Sequence, residues 1–402
     1  MDKKLAIDGG TPIRKNPMAA WPYFPDSDIQ KVNAVLRSGK VNYWTGDECK
    51  KFEKEYATYL GRKYTMAVAN GTIALEMALS VHGIGKGDDV IVTPRTFMAS
   101  ASCVVTQGAR PVFADIDPVS QNITVDTIER AITPNTKAII PVHLAGWPCD
   151  MDPIMELAER LGILVLEDCA QSHGSKYKGR HTGSIGHIAA FSFCQDKIFT
   201  TGGDGGLIAT DDESIWKKLW SLKEHGKDFD LAFNTEHPPG FRWLHKHFGS
   251  NYRLTEMQAS LGRSALERLD EDVILRRKNA TSLNECLSQF SCIRRTIPCD
   301  EIYHSYYKFY CFVNSGDLAS GWSRDRVVAA IAAEGVPCLT GSCSEIYLEQ
   351  AYADGLRPKE RLPIAKSLGE TAIMFLVHPT LTVQDVSDTC TAITKVLSQA
   401  QK

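Results

Sequence analysis

An α/β fold, with a large domain built on a mostly parallel central sheet and a smaller α+β C-terminal domain, is predicted by three features of this 402-residue chain. Between Tyr64 and Thr210, short apolar runs alternate with helix-like runs. That alternation implies a largely parallel sheet covered by helices on both faces. Beyond about residue 278 the pattern changes to aromatic strand-like runs between helices. The composition, 43% hydrophobic and 23% charged, is that of a globular protein long enough for one large and one smaller domain. Residues 1–277 are therefore assigned to the large domain with its N-terminal segment, and 278–402 to the small one.

In order along the chain, Tyr64–Ala69 reads as a strand and Ile73–Val81 as the helix after it. Asp89–Thr93 is a strand, followed by a small-residue helix from Met98 to Gln107. Pro111–Ile116 and Lys137–His143 are further strands. Ile154, Leu157, Ala158 and Leu161 recur at helical spacing, so the segment after Asp152 is an amphipathic helix. Ile163–Glu167 and Leu207–Thr210 complete the strand-like runs. Leu254–Arg277 is a charged helix. The C-terminal part reads as helix at Ser282–Leu287, strand at Tyr306–Val313, helix at Asp325–Glu334, strand at Ala372–His378 and helix at Val383–Leu397.

Several function classes fall away on composition. A net charge of −3 gives no basic footprint for nucleic acid. No run of about 18 apolar residues is present, so no membrane span is expected. Met1–Asp8 lacks the apolar core of a signal peptide. Twelve cysteines are scattered from Cys49 to Cys390 without a CxxC pair. They read as buried thiols of a reducing cytoplasm, with neither a disulfide framework nor a metal site.

In parallel sheets ligands bind beyond the carboxyl ends of the strands. The residues at those ends are Asn70-Gly71-Thr72, Pro94-Arg95-Thr96-Phe97, His143 and Asp168, and they are expected to meet in one crevice. Asn70-Gly71-Thr72 opens a helix, whose free N–H groups suit a phosphate or form an ordinary cap. Lys197 lies between the apolar run Ala189–Phe193 and the glycine-rich run Gly202–Gly206. A lysine there sits on a tight, close-approach turn. With an acid at a buried strand end, it suits pyridoxal phosphate (PLP): the amine forms a Schiff base and Asp168 keeps the pyridine nitrogen protonated. Ser192 is either a satisfied buried hydroxyl or a phosphate donor. Phe97 is either core or a platform for a flat ring. The glycine run is not a nucleotide loop, because a strand and not a helix follows it.

Taken together, these motifs resemble the DegT/DnrJ/EryC1/StrS group of sugar aminotransferases. The resemblance runs from Asp8-Gly9-Gly10-Thr11-Pro12 to His378-Pro379. It includes Pro141-Val142-His143-Leu144, Glu167-Asp168-Cys169-Ala170-Gln171, and Asn251-Tyr252-Arg253-Leu254-Thr255-Glu256-Met257-Gln258-Ala259. It implies fold type I of the aspartate aminotransferase superfamily and a homodimer with shared active sites. It implies Lys197 as the Schiff-base lysine, Asp168 at the pyridine nitrogen, Gln171 beside the ring and Phe97 stacked on it. Gly71, Thr72 and Ser192 would hold the phosphate, and Asn251 would reach it from the other subunit. The chain departs from the family at Gln195-Asp196, where a threonine commonly precedes the lysine, and at Ala145-Gly146-Trp147.

The resemblance implies transfer of an amino group from glutamate to a nucleotide-linked keto-sugar, for amino-sugar biosynthesis. A keto-cyclitol acceptor is the first alternative, because the opening Ala6–Pro12 also resembles such members. The related PLP-dependent sugar dehydratases carry histidine where this chain has Lys197. A non-catalytic regulator would not need the lysine, the acid and the phosphate contacts together. The aromatic and basic stretch His225–His247 is long enough to be functional, or else a lid or dimer contact.

Overall fold

The structure is a computed structural model describing residues 4–402. Its central sheet uses β1 (Tyr64–Val68), β2 (Asp89–Val92), β3 (Arg110–Phe113), β4 (Thr136–Ile140) and β5 (Leu164–Asp168). A small hairpin, β6 (Lys176–Tyr177) and β7 (Arg180–His181), leads on to β8 (Ile188–Ser192) and β9 (Gly206–Thr210). The seven strands of the sheet lie in the order β1-β9-β8-β5-β4-β2-β3. Only β9 runs antiparallel to its neighbours. This is the predicted mostly parallel sheet.

Side chains alternate across a strand, so neighbours face opposite layers. Val90, Val92, Ala138, Ile140, Leu166 and Ile188 pack against the helices Gly71–Val81, Ala99–Thr106 and Glu213–Lys223. Their neighbours Ile91, Ile139 and Val165 face the helix Met151–Leu161. Ala67, Ala189, Phe191 and Leu207 face the helices Glu48–Leu60 and Glu256–Leu287.

The helical stretches read separately at Leu254–Arg277 and Ser282–Leu287 are one helix of 32 residues, Glu256–Leu287. Leu269 and Val273 pack against the large sheet, while Ala280, Leu283 and Leu287 pack into the C-terminal domain. No glycine or proline interrupts residues 264–287, so nothing stops the helix at the change of layer.

After β10 (Ile293–Arg295) and β11 (Ile302–Tyr303) come β12 (Phe309–Val313), β13 (Cys338–Leu339) and β14 (Ala372–Phe375). Four of these form an antiparallel sheet in the order β10-β12-β14-β13. The helices Arg324–Ala333 and Val383–Ala400 cover it. The N-terminal segment also packs there, through Leu5, Ile13 and Met18. Arg14 ties it down by ion pairs to Asp385 (2.6 Å) and Asp388 (2.8 Å).

All twelve cysteines are free thiols, but Cys299 and Cys343 are exposed, unlike the buried majority. Among the described residues no helix is long and apolar enough to cross a membrane.

Candidate active site

Strand pairing creates a corner where three chain segments crowd together. Val68 of β1 and Ser192 of β8 are both paired with Gly206 of β9. The next residues beyond Val68 lead into the helix Gly71–Val81. A Cβ placed on Gly71 would lie 2.6 Å from the Ser192 Cβ, and one on Gly206 would lie 2.3 Å from the Asn70 carbonyl oxygen. Both positions therefore exclude a side chain, which brings backbone and the Ser192 hydroxyl close together. Asn70 caps the helix by accepting the Ile73 N–H at 2.9 Å. The N–H groups of Gly71 and Thr72 precede the first intrahelical bonds and stay available at the positive end of the helix. Gly71, Thr72 and Ser192 thus meet at one corner of the sheet, at the start of the helix.

Asp168 is the last residue of β5 and is almost fully buried. Its Oδ2 accepts the Ser100 hydroxyl at 2.7 Å, and its Oδ1 accepts the Ala170 N–H at 3.1 Å. Ser100 lies 2.9 Å from the Thr96 hydroxyl. A carboxylate has about four acceptor positions, so two remain for a ligand donor. Ser100 was missed from sequence, because a small-residue helix start looks like a packing feature, whereas Thr96 stands among the strand-end residues expected in the crevice.

Gln171 is buried, and its Oε1 accepts the Ala145 N–H at 2.9 Å. Ala145 holds φ at 56° and Gly146 at 93°. This bent loop docks the small domain: the Tyr307 N–H donates to the Ala145 carbonyl at 2.8 Å, and the Ser305 N–H donates to the Gly146 carbonyl at 3.2 Å. The altered stretch Ala145-Gly146-Trp147 therefore fixes where Tyr307 stands.

Lys197 sits on the turn that follows β8. Its N–H donates to the Cys194 carbonyl at 3.1 Å, and its own carbonyl accepts the Trp21 indole N–H at 2.9 Å. The half-buried side chain carries its Nζ to 5.1 Å from the centre of the Tyr307 ring. The Tyr307 hydroxyl donates to Asp196. Burial raises the Asp196 carboxyl, but the Tyr307 hydroxyl and the charges of Lys197 and Lys308 together hold it below the usual range. Trp21, from the N-terminal segment, also stacks on His378 and lies under the Arg276 guanidinium at 5.0 Å. Trp21 and Tyr307 were not legible from sequence as partners of Lys197, since each comes from a distant segment.

Phe97 is 69% exposed at the rim, free to cover a flat ring. Asn251 stands apart. It is exposed, although the following residues run beside β1, with the Ala69 N–H donating to the Tyr252 carbonyl at 2.8 Å.

His143 corrects the strand-end rule. It is fully buried and does not open into the crevice. Its Nδ1 accepts the Cys149 N–H at 2.9 Å, so its Nε2 carries the hydrogen donated to Glu167 at 3.0 Å. Glu167 also accepts the N–H groups of Gly183, Ile185 and Gly186 at 2.6–2.8 Å. Burial acts against its charge, yet the His143 bond, the Arg62 charge and the Gly183 bond hold its carboxyl below the usual range. Glu167 faces away from Asp168 because adjacent strand residues point to opposite faces. His143, Glu167 and Cys169 lie close enough to hold a metal, but the histidine and carboxylate lone pairs are already engaged in these bonds.

Known proteins resemble this chain over most of its length. The sequence profile of the DegT/DnrJ/EryC1/StrS aminotransferase family matches residues 23–394. GDP-perosamine synthase of Caulobacter vibrioides is 37% identical over 347 residues, covering 86% of this chain and 89% of that protein. L-glutamine:2-deoxy-scyllo-inosose aminotransferase of Streptomyces kanamyceticus is 34% identical, covering 82% of this chain and 78% of that protein. The X-ray structure of the aminotransferase from Psychrobacter cryohalolentis superposes with a TM-score of 0.93 at 50% identity, covering 95% of this chain and 99% of that one.

Proposed function

Since the chain belongs to the DegT/DnrJ/EryC1/StrS aminotransferase family, we propose that it transfers the amino group of glutamate to a nucleotide-linked keto-sugar, with PLP as cofactor. What supports this reading is a half-buried lysine, a strand-end carboxylate with free acceptor capacity, and a helix start at Gly71 pressed against Ser192.

The residues fit the cofactor. Gly71, whose missing Cβ leaves room, would hold its phosphate with Thr72 and Ser192. Asp168, anchored by Ser100, would face its ring nitrogen, with Gln171 beside the ring and Phe97 over it. When bound, PLP supplies the electron sink for the chemistry. Lys197 Nζ then acts as the base that takes the proton from the donor α-carbon and later returns one to the acceptor carbon.

A panel assay tests the acceptor. Purified holoenzyme with glutamate should aminate at least one nucleotide-linked keto-sugar and release one 2-oxoglutarate per amino sugar. Turnover of a keto-inositol alone would move the assignment to the cyclitol alternative, which the resemblance to the Streptomyces enzyme keeps open. The dehydratase alternative is disfavoured by Lys197 itself, and the regulator by the intact site. The working division of the chain remains 1–277 and 278–402, with the helix Glu256–Leu287 serving both parts.

Asn251 completes the reading. Exposed at the rim, it would reach the cofactor phosphate of a partner subunit in a two-fold dimer with two shared sites. A Lys197→Ala subunit and an Asn251→Asp subunit should then complement each other. In the mixed dimer one site receives an intact lysine from one chain and an intact asparagine from the other. Random pairing makes about a quarter of all sites whole. Recovery near that fraction of wild-type activity is expected. Mixed dimers that form and stay inactive would contradict the shared site.

A further inference from the structure

We propose that Lys308 binds the α-carboxylate of the amino donor. This assignment rests on the aminotransferase reading and adds the donor subsite to it. Lys308 immediately precedes β12, so its backbone is fixed to the small-domain sheet. Its Nζ stands 4.6 Å from the centre of the Tyr307 ring, the same ring that the Lys197 Nζ approaches at 5.1 Å. The two ammonium groups therefore share one aromatic neighbour, Tyr307. Among the described residues, neither ammonium has a carboxylate oxygen within ion-pair distance, 4.0 Å. Asp196, whose charge acts on both lysines, is engaged by the Tyr307 hydroxyl.

The surroundings add positive charge. Arg276, almost wholly buried behind Trp21, has Nε and Nη2 atoms without a hydrogen-bond partner. Asp272 is its closest acidic neighbour on the same helix. His378 adds no charge near neutral pH, because burial and the Arg276 and Lys308 charges pull it down to about 4. Cations thus outnumber anions around the Tyr307 ring, and Lys308 is a half-buried one among them without an ion-pair partner among the described residues.

The chemistry of the ligands selects the occupant. The cofactor phosphate has its own donors at Gly71, Thr72 and Ser192. The diphosphate of a nucleotide sugar lies several bonds from the keto carbon, so it is remote from Lys197 when that carbon reacts. The α-carboxylate of an amino acid is bonded directly to the reacting carbon. It is the anion that must come to rest beside the lysine, and a neighbouring ammonium neutralises it with a charge-assisted hydrogen bond.

The test uses holoenzyme of the wild type and of Lys308→Met, Lys308→Gln and Lys308→Arg. Glutarate, an unreactive dicarboxylate, and UDP and GDP are titrated calorimetrically; glutamate KM and kcat are measured in parallel. Loss of one charge-assisted bond should weaken glutarate roughly tenfold to a hundredfold in the Met and Gln variants. Glutamate KM should rise by a similar factor with a smaller change in kcat, Lys308→Arg should restore most of the binding, and nucleotide affinity should not move. The Gln variant keeps a polar head if the Met variant fails to fold. Unchanged glutarate affinity, or a loss confined to UDP or GDP, would overturn the assignment. A wild-type enzyme whose cofactor reacts with no amino donor would instead overturn the aminotransferase reading beneath it.

Discussion

Lys197→Ala is expected to lower transamination by roughly four orders of magnitude or more, since both covalent attachment and proton transfer at one atom are lost. The fold should survive. The Lys197 side chain makes no ion pair among the described residues, and the backbone contacts with Cys194 and Trp21 do not involve it. Removal of the ammonium group facing the Tyr307 ring should cost no more than about 1 kcal/mol. Thermal unfolding and activity therefore separate: the melting temperature stays close to wild type while turnover disappears. A variant that retains substantial turnover would place the chemistry on another residue.

Asp168→Asn is expected to keep weak cofactor binding and lose most activity, by about a hundredfold to ten-thousandfold, as for removal of a key charge partner in a water-excluded site. An amide cannot stabilise a protonated ring nitrogen, so the electron sink weakens. The substitution also faces one of two neighbours with the wrong group. The Ser100 hydroxyl and the Ala170 N–H each donate to a different oxygen, and an asparagine has only one. Cofactor titration and turnover are the measurements. Unchanged turnover would reduce Asp168 to an ordinary strand-end acid.

Much of this site was legible because it is local. Gly71, Thr72, Asp168 and Ser192 sit where apolar strands end, and apolar runs followed by small or polar residues mark such ends directly. Lys197 was legible from the glycine turn after it. What the rule of strand ends could not see is side-chain direction. It placed His143 in the crevice, but the nearby buried Glu167, with its three backbone donors, draws the imidazole to the opposite layer. Long-range pairing was equally invisible. Nothing local announces that β9 inserts between β1 and β8, which is what brings Gly206 against Asn70. Trp21 reaches Lys197 across 176 positions of chain. The continuity of Glu256–Leu287 was missed because its buried face changes partner midway, from the large sheet to the small one. In the stretch 225–247 the structure adds a short helix, Phe229–Phe233, and leaves Phe241 and Trp243 at 76% and 83% exposure.

The central claim is that Lys197 carries the cofactor. Borohydride reduction of the holoenzyme, followed by proteolysis and mass spectrometry of the peptides, tests it most directly. The account predicts a single stable phosphopyridoxyl adduct on the peptide containing Lys197, and none in the Lys197→Ala variant. An adduct on Lys308 or any other lysine, with Lys197 unmodified, would contradict it.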